Sequence, residues 1–241
     1  MRNYEQELTS RVDFIKAQLK NSGATGVVYG NSGGKDSALV GILCKKACDD
    51  TVGIQLPISK RNFNEDMRDG REVADKFGIE TRVVDLADVK AKFIETVGAA
   101  TKVSDMANAN MSARLRMITL YAVAASENRL VAGTGNRSEA YMGYFTKWGD
   151  GAHDFNPIGD LTVTEIYEFL KFLGAPEAVI AKAPSAALFD GQTDESEMGI
   201  TYARIDDYLI NGKVSDEDKA KIESYHARSE HKRNMPITYG G

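Results

Sequence analysis

One handover, made several times along the chain, limits the fold most: a short β-branched strand, a turn, an amphipathic helix, then another strand. Thr25-Gly26-Val27-Val28-Tyr29-Gly30 reads as a buried strand, and it runs through Ser32-Gly33-Gly34-Lys35-Asp36-Ser37 into a helix starting near Asp36 with Leu39, Ile42, Leu43 and Ala47 at helical spacing. The same alternation predicts strands at 51–56, 81–84 and 130–133, and helices at 62–77 (closed by Gly78), 89–97 and 106–127. Strands joined through helices pair in parallel, so the expected class is α/β: a doubly wound, mostly parallel sheet flanked by helices, with C-terminal helices and loops. An opening helix, with Leu8, Val12, Ile15 and Leu19 on one face and Asn21-Ser22-Gly23 at its end, caps this arrangement.

The second half of the 106–127 helix is apolar nearly all round (Leu115, Met117, Ile118, Leu120, Tyr121, Val123, Ala124), which predicts burial on two sides. Sheet packing alone and sheet packing plus a dimer interface account for it equally well. Residues 134–160 form a long polar stretch, 164–173 a helix stopped by Gly174 and Pro176, and 184–197 a second polar loop. Helices follow at 201–210 and 216–229. With no internal repeat and no linker, 1–241 is expected to be a single domain, and 241 residues suffice for a large core.

Charge and cysteine usage narrow the class. Thirty Lys and Arg against 35 Asp and Glu leave a net charge of -5, so no nucleic acid partner is expected and an anionic ligand must be held locally. The two cysteines, Cys44 and Cys48, make neither a disulfide framework nor a four-ligand zinc site, which suits a reducing compartment. Lying four apart on a helix among apolar neighbours, they read as packing residues rather than nucleophiles. No apolar run approaches the ~18–20 residues of a membrane span and the N-terminus lacks a signal-peptide core, so the chain is expected to be cytoplasmic.

The turn at 32–37 carries chemistry. A helix N-terminus offers unpaired amides and partial positive charge to an anion, and glycines let phosphate oxygens approach the backbone. The spacing departs from the Walker pattern, and an aspartate follows Lys35. Asp36 would repel a phosphate unless a divalent cation stood between them, so it reads as a magnesium ligand facing a polyphosphate. The plainer alternative is a tight Gly-Gly turn with Asp36 or Ser37 as a helix cap. The ordered Ser-Gly-Gly-Xaa-Asp-Ser after a Val-Val strand resembles the loop of the N-type ATP pyrophosphatases, which cleave ATP between its α and β phosphates.

Further blocks carry a narrower resemblance. Gly133-Thr134-Gly135-Asn136-Arg137-Ser138-Glu139, Gly143-Tyr144-Phe145-Thr146-Lys147-Trp148-Gly149-Asp150-Gly151, Asn156-Pro157-Ile158-Gly159-Asp160-Leu161, Gly191-Gln192-Thr193-Asp194-Glu195 and His231-Lys232-Arg233 together resemble the ammonia-dependent NAD synthetases over nearly the whole chain. That resemblance implies an adenine nucleotide alpha hydrolase-like fold, a homodimer, and ATP-dependent amidation of deamido-NAD by ammonia through an adenylate, releasing AMP and pyrophosphate. By position it implies ATP contacts at Gly30, Asn31, Ser32, Gly33, Gly34, Lys35, Asp36, Ser37, Thr134 and Ser185, and Mg2+ on Asp36 and Glu139. It places Arg114, Lys147, Asp154, His231 and Lys232 on deamido-NAD, partly across the dimer interface, with Asp36, Glu139 and Lys147 as the catalytic set. Two positions depart from the family pattern: Val163 stands where a phosphate-reaching lysine is common, and Ala187 where an aspartate often lies. Lys182, Lys35 or Arg137 can supply the missing charge. A fused glutaminase would add length the chain lacks, so free ammonia is the expected donor. Another ATP pyrophosphatase ligase, or a non-catalytic adenine-nucleotide binder, remains as an alternative from the residues alone.

Overall fold

The computed structural model describes residues 2–58, 63–182 and 194–240. Helix α1 (Tyr4–Ser22) begins where the Asn3 side chain accepts the Gln6 amide and stops at Gly23, whose φ of 73° favours glycine. The chain then alternates β1 (Gly26–Gly30), α2 (Lys35–Ala47), β2 (Thr51–Gln55), α3 (Phe63–Phe77), β3 (Glu80–Val83), α4 (Ala87–Gly98), α5 (Asp105–Glu127) and β4 (Arg129–Ala132). All three pairings are parallel and the order is β3-β2-β1-β4, with Val28 opposite both Val52 and Val131. The chain therefore builds outward from β1 through β2 to β3 and returns to place β4 on the other side of β1. Strand order reverses between β1 and β4, and a crevice opens beyond their carboxyl ends.

The remaining elements are α6 (Arg137–Met142), α7 (Val163–Phe172), α8 (Glu177–Ile180), α9 (Asp194–Met198), α10 (Tyr202–Asn211), α11 (Asp216–Arg228) and α12 (Glu230–Arg233). Strand periodicity sorts the core into two layers. Val27 and Tyr29 join Ile15, Leu39, Ile42 and Phe169 on the α1, α2 and α7 side, while Val28 joins Val52, Ile54, Val131 and Ala124 beneath α5. Tyr29 lies so close to α2 that a Cβ on Gly41 would collide with its hydroxyl oxygen, so only glycine fits there. A third cluster, Met142, Val163, Met198, Tyr202, Ile205 and Ile222, ties α6 to the C-terminal helices. No helix among the described residues is long and apolar enough to cross a membrane.

Three expectations need correction. The 134–160 stretch is no plain loop, because Asn136 and Glu139 form a capping box that starts α6. The 184–197 segment contains the start of α9. Within the chain α5 is not buried on two sides: it lies on β1 and β4 by one face, and Ile118 stays 58% exposed. A single sheet covers one face of a helix, so among the described residues Ile118 on the opposite face stays exposed, although α4 also packs on α5.

Candidate active site

β1 delivers the 31–34 turn to the mouth of the crevice. Asn31, itself buried, fixes the turn through its side chain, which donates to Gly70 O at 3.0 Å and accepts from the Gly33 amide at 3.4 Å. Gly33 has a φ of 76° and Gly34 is the N-cap of α2 with no side-chain cap, which leaves first-turn amides for a ligand. Ser32 Oγ and Ser37 Oγ sit 3.1 Å apart, and Ser37 Oγ also donates to Gly34 O at 3.0 Å. Gly30, Asn31, Ser32, Gly33, Gly34, Lys35, Asp36 and Ser37 thus form one turn from β1 into α2, with Ser32 exposed and Asn31, Gly33, Lys35 and Ser37 buried.

Across the strand switch, β4 delivers Thr134 and the N-terminus of α6. Asn136 is fully buried and joins the two carboxylates predicted to act together. Its Nδ2 donates to Asp36 Oδ1 at 3.1 Å, its Oδ1 accepts the Glu139 amide at 2.9 Å, and its own amide donates to Glu139 Oε2 at 3.1 Å. Lys35 Nζ lies 2.7 Å from Asp36 Oδ2. Burial, then the like charge of Asp36, push the Glu139 carboxyl well above the ordinary range, against the opposing pull of Lys35. For Lys35, burial lowers proton affinity, but Asp36 and Glu139 outweigh it and hold the ammonium above the usual lysine value. Buried Asp194 extends the acidic group, accepting the Tyr202 hydroxyl at 3.1 Å. Among the described residues, Asp36 and Glu139 lie nearest the Lys35 ammonium, with Asp194 acting on Glu139.

The sequence alone brings in Asn136 and Asp194 only as members of longer blocks, and does not point to Tyr202. The Asn-Xaa-Xaa-Glu spacing of a capping box was a legible signal for Asn136. Nothing local marks Tyr202, which reaches the site through the third core cluster.

The other predicted residues gather at the far end of α6, which spans about 9 Å. Lys232 Nζ donates to Gly143 O and Phe145 O, both at 2.8 Å. Lys147 Nζ contacts His231 O and lies 3.4 Å from Asn234 O, and Arg114 Nη2 donates to Lys147 O at 3.3 Å. Arg114, Lys147 and Lys232 therefore flank one loop, 143–151, with the exposed His231 beside them. Asp154 holds the fold together at this point, since its Oδ2 accepts the Val131 amide at 2.8 Å and its Oδ1 the Tyr121 hydroxyl at 3.3 Å, which fixes the β4 edge to α5. Ser185 and Ala187 lie outside the described residues. Val163 is buried at the start of α7 in the same cluster as Tyr202.

A model of the NAD synthase family matches residues 7–236. The NH(3)-dependent NAD(+) synthetase of Carboxydothermus hydrogenoformans is 44% identical over 237 residues, 97% of each chain. Among solved structures, the NMN synthetase of Francisella tularensis superposes with a TM-score of 0.94 at 38% identity over the whole of both chains. The NH3-dependent NAD synthetase of Campylobacter jejuni, in complex with nitrate, superposes at 0.82 with 30% identity over 99% of this chain and 100% of that one.

Proposed function

We infer, from the premise that this chain belongs to the NAD synthase family, that it is a ligase making NAD by ATP-dependent amidation of deamido-NAD with ammonia. The observation that carries the reading is the pair Asp36 and Glu139, brought from two strands to one buried asparagine at the strand switch. The nicotinate carboxylate attacks the α-phosphorus of ATP and expels pyrophosphate. Ammonia then adds to the acyl carbon, AMP leaves, and the nitrogen loses a proton to give the amide.

No protein nucleophile is required, so the chain's part is positioning and charge. The Gly33 and Gly34 turn and the open first turn of α2 receive phosphate oxygens, helped by Ser32 and Ser37. Thr134 follows β4 by two residues and is assigned to ATP on the resemblance. Ser185 is assigned to the ATP phosphates on the resemblance alone. Asp36 and Glu139 suit magnesium, since they offer hard carboxylate oxygens from two elements tied to one buried asparagine. Bound there, magnesium would neutralise charge on the departing pyrophosphate. Arg114, Lys147, Lys232 and His231 would receive the anionic dinucleotide, with Lys147 assigned to the catalytic set on the resemblance and Asp154 supporting the wall. The open stripe of α5, which carries both Arg114 and Ile118, is the face we assign to a homodimer working in the cytoplasm.

A second reading has one specific support, the 0.94 superposition on an NMN synthetase. In that reading the acid is the mononucleotide rather than the dinucleotide, with the chemistry unchanged. Purified protein given Mg-ATP, ammonium and either acid distinguishes them by kcat/KM. NAD, AMP and pyrophosphate in equal amounts, lost in Asp36→Ala, support the first reading, whereas a preference for the mononucleotide supports the second. No ATP turnover with either acid overturns both.

A further inference from the structure

Of the three cations that the sequence offers for phosphate, two have other partners. Lys182 Nζ pairs with the buried Asp69 at 3.0 Å, and Arg137 Nη2 donates to Leu209 O at 3.0 Å. Lys35 alone of the three has Asp36 as its ion-pair partner, with its side chain only 6% exposed and Nζ 5.8 Å from the centroid of the Tyr202 ring. Val163 is buried in the same hydrophobic cluster as Tyr202.

Both oxygens of Asp36 are in use, Oδ2 by Lys35 and Oδ1 by Asn136. A divalent cation arriving at Asp36 meets the Lys35 ammonium as a like charge on the same carboxylate, and that repulsion favours displacement of a partner. Asn136 is held at the N-cap of α6 by two further bonds to Glu139, so it cannot move without undoing the helix start. Lys35 hangs on a four-carbon stem with rotatable bonds, and it is the partner able to yield. An ammonium displaced from Asp36 inside a poorly hydrated site needs another anion, and a polyphosphate on the 32–37 turn supplies one.

Resting on the assignment of Asp36 and Glu139 as metal ligands, we propose that Lys35 is the resident stand-in for the divalent cation. In the free protein its ammonium fills the positive position on Asp36. It gives up that carboxylate only when a polyphosphate enters and takes the ammonium in its place. Metal and nucleotide then bind as a unit, and free metal ion is held weakly. Lys35 is a phosphate-binding residue that also sets the order of assembly.

Binding measurements without turnover test this. Mn2+ is titrated calorimetrically, alone and with α,β-methylene-ATP, in the absence of acid substrate and ammonium. Lys35→Met should bind free Mn2+ about tenfold more tightly than wild type and bind the analogue, at saturating Mn2+, about tenfold more weakly, as expected for one charge-assisted contact. Lys35→Arg should restore wild-type order, and Lys35→Gln replaces the methionine variant should that one unfold. Unchanged or weaker binding of free Mn2+ in the neutral variants overturns the proposal and leaves Lys35 as a counter-ion of the fold. Asp36→Asn separates the premise from the inference. If it leaves Mn2+ binding with the analogue unchanged, the metal assignment fails and the proposal with it; if it abolishes binding while the Lys35 variants do nothing, the proposal alone fails.

Discussion

Asn136 sets the Asp36 to Glu139 geometry through three hydrogen bonds. Asn136→Ala should cost about 1 kcal/mol as a lost cap and lower ATP turnover at least about tenfold through the lost contact to Asp36. Urea midpoints and AMP release measure the two effects separately, and a stability loss with full turnover would reduce Asn136 to a cap. His153 makes a different point. A Cβ on Gly133 would collide with its ring, and its Nδ1 is buried with no hydrogen-bond partner among the described residues. Burial holds the imidazole below its ordinary pKa of 6.5, with Asp154 pulling the other way. The unfolded chain thus takes up a proton at a pH where the folded one does not. The stabilisation is complete above that ordinary value and is lost as pH falls towards the folded one. Urea midpoints at pH 7.5 and 5.5 should drop further for wild type than for His153→Gln, and equal drops would show that the ring is not held neutral.

At the scale of elements, a single carboxylate stitches the start of α6 to the C-terminal helices. Buried Asp206 on α10 accepts Ser138 Oγ at 2.6 Å, and the Thr164 amide and hydroxyl at 2.7 Å each. Asp206→Ala strands all three donors, and the expected loss is about 3 kcal/mol; Asp206→Asn should recover part of it in the same denaturation assay. Because Ser138 neighbours Glu139, the alanine variant should also weaken binding of Mg-ATP. This stitch was not readable in advance, since it joins positions 138, 164 and 206 with no local pattern. The elements it joins were partly readable. Strands and helices from Gly26 to Ala132 fall within a residue or two of their expected places, because alternation and caps are local. The short helices α8 and α12 lacked enough turns to show a period, and α6 was hidden by its polar start. At the site, sequence paired Asp36 with Glu139 but left three cations for the phosphates. What Lys182 and Arg137 pair with depends on where Asp69 and Leu209 fold.

For the molecule as a whole, the source of nitrogen follows from what the thiols are doing. An enzyme that strips ammonia from glutamine needs an accessible thiolate beside a base. Cys44 is fully buried in α2, and burial drives its thiol well above the ordinary value, so it stays protonated. Cys48 caps the same helix, with Sγ 3.7 Å from the carbonyl oxygens of Thr25 and Asp50, a packing position behind the sheet. Both lie beyond the amino-terminal half of α2, while the crevice opens at its first turn. The expected result is that glutamine alone supports no amide formation, that ammonium does, and that Cys48→Ala leaves the ammonium reaction intact. Following the amide product by chromatography with each nitrogen source decides it. Turnover on glutamine alone would require a nucleophile other than these two thiols. Rising rates with pH at fixed total ammonium, flattening once free ammonia rather than total ammonium is plotted, would identify the neutral molecule as the species that enters the crevice.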